Sequence, residues 1–81
     1  MAWYNKTSMT SKAQSGTTVY PLDNRRKYLM IVAGAGDITI ALDGGAAFAV
    51  TEGNGWEPSV SPTSEVTIVG TCIVVTDSAQ V

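Results

Sequence analysis

The chain has 81 residues, with seven acidic and five basic side chains, no histidine, and a single cysteine, Cys72. A chain of this length makes one domain and buries only about 60% of the surface it exposes unfolded. A lone cysteine excludes an internal disulfide, and without histidine a structural zinc shell cannot close. Association with other chains is therefore the remaining way to supplement a small core. A net charge of −2 argues against generic binding to nucleic acid or to an anionic membrane.

Charged residues make up 15% of the chain, against about 25% in typical soluble domains. Thr, Ser, Gly and Ala take their place, which suits a protein packed among others. The basic residues Lys6, Lys12, Arg25, Arg26 and Lys27 lie in the first third, and the acidic residues run from Asp23 to Asp77. The start Met1-Ala2-Trp3-Tyr4-Asn5-Lys6 has no apolar core of a signal peptide. No apolar run approaches the roughly 20 residues of a membrane helix. The expectation is synthesis in a cytosol, with no membrane partner.

Residues 1–16 read as an N-terminal arm, polar and without strand alternation or a helical stripe. Trp3 and Tyr4 stand at its tip, where large aromatics suit anchoring in a neighbour's pocket. Residues 17–81 read as the β domain. Thr17 to Leu22 is a first strand, which Pro21 marks as an edge strand or near its end. Lys27 to Ala33 is a near-continuous apolar run expected to be a buried strand. Asp37 to Leu42 alternates, with Ile38, Ile40 and Leu42 on one face.

Asp43-Gly44-Gly45 signals a tight hairpin, because a type I′ turn requires positive φ at both central positions. Ala46 to Thr51 is the return strand, carrying Phe48 and Val50 on one face. A turn at Glu52-Gly53-Asn54-Gly55 leads to Trp56 and Pro58. Ser64 to Val69 alternates with Val66 and Ile68 inward, Gly70 marks a turn or bulge, and Thr71 to Thr76 is the last strand. The reading is all-β: a compact antiparallel β-sandwich or barrel of about six or seven short strands with an extended arm. The expected core is Leu29, Ile31, Ile38, Ile40, Phe48, Val50, Val66, Ile68 and Ile73.

Nothing in this pattern selects a catalytic apparatus. Acid–base chemistry needs poised, paired groups, and the carboxylates fall at strand ends and turns, where they solubilise or form turns. Cys72 has no histidine to activate it and reads as a small buried hydrophobe. The glycine clusters lack the helix and Gly-Lys-Ser/Thr ending of a phosphate loop. The reading is therefore no enzyme and no cofactor. Arg25 and Arg26, the centre of the main charge cluster, suit bidentate pairing with acidic groups of a neighbouring copy.

Three stretches carry a family resemblance. They are Asn24-Arg25-Arg26-Lys27-Tyr28-Leu29-Met30-Ile31, Glu52-Gly53-Asn54-Gly55-Trp56-Glu57-Pro58, and Val66-Thr67-Ile68-Val69-Gly70-Thr71. Together they resemble the layout of small virion structural proteins of tailed bacteriophages. The resemblance implies a decoration (cement) protein on the capsid surface, or a head–tail or tail component. Its implied partners are the major capsid protein or another virion protein, and further copies of itself, a trimer first. Protein-interface residues are then expected at Trp3, Tyr4, Lys6, Arg25, Arg26 and Trp56. The competing reading is a small carbohydrate-binding module that stacks sugar on Trp56 and Tyr28.

Overall fold

The computed structural model describes residues 9–77, and within them the chain is all β. Eight strands form in order: β1 (Thr10–Gln14), β2 (Thr17–Tyr20), β3 (Leu29–Ala33), β4 (Ile38–Leu42), β5 (Phe48–Val50), β6 (Gly55–Trp56), β7 (Val66–Val69) and β8 (Cys72–Thr76). They make two four-stranded sheets, β1-β8-β3-β6 and β2-β7-β4-β5. Every pairing is antiparallel.

The chain bends from one sheet to the other within four ribbons, β1–β2, β3–β4, β5–β6 and β7–β8, and crosses twice more through segments 21–28 and 57–65. Neighbouring ribbons stay paired across the bend. Gly70 N–H donates to Gly16 O at 2.9 Å, Gly34 N–H to Thr71 O at 2.9 Å, and Ala33 N–H to Asn54 O at 2.9 Å. Strands that switch sheets at such bends make the corners of a sandwich. At the β7–β8 corner Gly70 has φ +125, and a Cβ there would lie 2.7 Å from Ile38 Cγ2. Only glycine fits both the backbone and the space.

Inward positions alternate along the strands. Leu29, Ile31, Ala33, Ile38, Ile40, Val50, Val66, Ile68, Cys72 and Val74 form the core with Tyr20, and Leu42 and Trp56 pack against it. Asp43 (φ 54) and Gly44 (φ 70) both have positive φ, and Gly45 N–H donates to Leu42 O at 2.9 Å. The hairpin expected at Asp43-Gly44-Gly45 is therefore present, as a type I′ turn.

Several expectations are corrected. The arm is not separate from the domain along its whole length, because β1 lies within residues 1–16 and pairs with β8 over five positions. Main-chain pairing needs no apolar alternation, so the polar sequence of β1 hid it. With the two-residue β6, this strand raises the count above that expected. Ile73 is 47% exposed, because β8 buries Cys72, Val74 and Thr76; Ile73 stands on the opposite face. Phe48 faces inward beside Ile40, yet it sits at the sheet edge and remains 36% exposed. The strand expected from Lys27 starts at Leu29, because Lys27 and Tyr28 direct their N–H groups to the Asp77 carboxylate.

Candidate binding surface

Outward positions on the β1-β8-β3-β6 sheet follow from its register. Ser11, Val75 and Met30 stand in one row across the strands. Ala13, Ile73, Val32 and Gly55 stand in the next. Isoleucine, two valines, methionine and alanine thus share one solvent-facing surface, relieved only by Ser11 and Gly55. On the other sheet the outward rows are Thr17, Val69, Thr39 and Ala49, then Val19, Thr67 and Ala41. That face carries three threonine hydroxyls beside the exposed Val19 and Val69.

Neither face bears a charge, and Lys12 is the single charged residue within the described strands. Charge gathers instead at turns and sheet ends. A contiguous apolar patch rimmed by polar groups is the usual mark of a docking surface. Its rim is fixed at one end, where Tyr28 Oη donates to Glu57 Oε2 at 2.6 Å and lies 3.7 Å from Met30 Sδ. Glu57 raises the Tyr28 pKa above its ordinary 10.0, first through this hydrogen bond.

Arg25 and Arg26, adjacent in sequence, have opposite fates. Arg25 is exposed, and its N–H donates to Asp23 Oδ1 at 3.0 Å. Arg26 is 2% exposed. Its Nη1 donates to Pro62 O at 2.8 Å and Ser64 O at 3.1 Å, and its Nη2 to Pro21 O at 2.9 Å. Asp23 N–H adds a bond to Thr63 O at 2.8 Å. These bonds clip segments 21–28 and 57–65 together across one end of the sandwich. Both segments contain prolines, which supply carbonyls without N–H donors, and the guanidinium fork makes up the shortfall. Arg26, expected at a protein interface, thus directs Nη1 and Nη2 into the fold.

Trp56 pairs directly opposite the fully buried Ile31 and packs against the core. Its ring lies 5.3 Å from that of Phe48, tilted by 58°. The two rings close one open side between the sheets, so Trp56 is a partly buried edge plug and not a free stacking platform for sugar. In the turn that leads to it, Asn54 N–H donates to Thr51 O at 2.9 Å. Trp3, Tyr4 and Lys6 lie outside the described residues. Sequence reasoning missed Ile73, Val32 and Met30 as surface residues. A run of consecutive apolar residues in β3 and β8 does not say which alternate set faces water.

Among the described residues no group of three His, Cys, Asp or Glu side chains is placed to hold a metal ion. No helix long and apolar enough to cross a membrane occurs among these residues. Comparison with protein-family models, with curated proteins and with solved structures finds no match for this chain.

Proposed function

We propose that the protein is a non-enzymatic structural module that docks on other protein surfaces, in the form of a capsid decoration (cement) protein of a tailed-bacteriophage virion. The observation that carries the docking reading is the uncharged outer face of the β1-β8-β3-β6 sheet, with Ile73 47% exposed at its centre. Desolvating such a face costs little, because it holds no charge that must be stripped of water. Its apolar area then contributes roughly 25 cal/mol per Å² removed from water. The virion setting is supported by the resemblance of the three sequence stretches, and by a composition poor in charge.

The major capsid protein, or another virion protein, is the proposed partner, at the virion surface and without nucleic acid or membrane. A trimer is the self-assembly that the resemblance implies. The Tyr28–Glu57 pair adds polar contacts at the rim, and Arg25, which is exposed, remains a proposed contact residue.

The test is binding of purified protein to particles that lack it. Ile73→Asp should keep the β-type circular dichroism and thermal transition of the parent, because the position is a solvent-facing one. It should lose particle binding. Unchanged binding by Ile73→Asp together with Val75→Asp would remove this face from the function.

A further inference from the structure

Strand β1 is bound to the rest of the molecule in an unusual way. Four of its five residues are exposed, and Gln14 is half-buried, so no β1 side chain enters the core. What holds it is the main-chain ladder to β8, from Thr10↔Thr76 to Gln14↔Cys72. Side-chain bonds assist, among them Gln14 Nε2 to Tyr20 Oη at 3.1 Å and Thr10 Oγ1 to Thr76 O at 3.4 Å. Every one of these bonds can be made equally well by a β1 supplied from another copy. Only Ser15 and Gly16 separate it from β2. Gly16 holds φ +70 with open space where a Cβ would stand, and the bond its carbonyl accepts from Gly70 N–H at 2.9 Å is a contact that opening the hinge must release.

We propose that β1 is an exchangeable strand, and that the β8 edge of one copy accepts β1 from a second copy, with Ser15–Gly16 as the hinge. The partner that fits this surface is the chain itself. Exchange of an identical element leaves the strand ladder unchanged and alters only the hinge, which makes it an inexpensive route to self-association. A net charge of −2 offers little repulsion between copies. The inference stands apart from the virion reading, since it concerns how copies join one another and not what they cover.

Two sets of variants test it. Ser11 and Val75 face each other across the β1–β8 pair on the outer face. Cysteines are placed there as Ser11→Cys with Val75→Cys, in a Cys72→Ala background. The protein is oxidised at low and high concentration and run on a non-reducing gel. Exchange predicts covalently linked copies whose share rises with concentration. Gly16→Val disfavours the positive φ and drives the hinge toward an extended form, so it should raise that share several-fold, while Gly16→Asn, which tolerates positive φ, should behave like the parent. A chain without residues 1–14 should keep its β-type circular dichroism and elute as a monomer. The proposal is overturned if the disulfide closes only within single chains at every concentration, Gly16→Val included. It is equally overturned if the shortened chain unfolds, or if it self-associates as the parent does. Loss of particle binding by Ile73→Asp bears on none of these outcomes.

Discussion

Tyr28 Oη and Glu57 Oε2 lie 2.6 Å apart, joining the start of β3 to the chain just beyond β6. The bond keeps the phenol protonated, since a phenolate would face a carboxylate. A raised folded-state pKa means stability that is fully present below the ordinary 10.0 and is lost as pH rises through the folded value. Burial likewise pushes the Cys72 thiol above its ordinary 9.0, with the same sign. Stability contributed by these two groups is therefore expected to be constant below about pH 8 and to fall in alkali. In a tyrosinate absorbance titration, Glu57→Gln should lower the Tyr28 transition. In the folded protein iodoacetamide should leave Cys72 unmodified, and it should react on denaturation.

Arg26 and Arg25 should separate cleanly in a denaturation experiment. Arg26→Ala leaves the carbonyls of Pro21, Pro62 and Ser64 without their donor. Pro62 and Ser64 are half-buried and Pro21 is exposed, so water takes over part of the bonding, and the loss should be about 1–3 kcal/mol. Arg25→Ala, at an exposed position, should stay within about 0.5 kcal/mol of the parent. Equal midpoints in urea for the two variants would show that Arg26 is not the clip between the loops.

Gly70 and Gly16 pose different questions to an alanine. At Gly70 the new Cβ meets Ile38 Cγ2 at 2.7 Å and Asp37 O at 3.2 Å, on a backbone of φ +125. Strain of about 1–3 kcal/mol and overpacking of similar size should add. At Gly16 only the backbone term applies, because the space is open. Thermal melts should therefore place Gly70→Ala well below Gly16→Ala.

Core substitutions should follow depth and not residue size. Ile40 is fully buried between Ile68 and Phe48, and Ile40→Ala should cost about 2–5 kcal/mol. Phe48, larger but 36% exposed, should lose less, about 1–2 kcal/mol for the partial burial and the ring contact with Trp56. Guanidinium unfolding of the two variants checks the order.

Much of the fold was legible in the chain itself. Ile38, Ile40 and Leu42, then Val66 and Ile68, alternate so regularly that strand period and inward face follow without a structure. Asp43-Gly44-Gly45 specifies its turn because few residues accept consecutive positive φ angles. The candidate surface was less legible. In β3 and β8 both alternate sets are apolar, so the pattern shows a strand without showing which side meets water.

Composition and spacing determined the class of molecule: one small all-β domain, a lone buried cysteine, and strands nearly free of charge. Those properties are local, since they depend on which residues occur and how often they alternate. Tertiary structure alone decided that Arg26 is interior while Arg25 is not, because two of the three carbonyls it satisfies come from residues 36 and 38 positions away. It also decided that polar β1 is a strand, because an edge strand forms from main-chain pairing with β8, for which side-chain periodicity gives no sign. And it decided that Ile73 faces solvent, because a register shared with β1 and β3 fixes one face of β8 for all three strands at once.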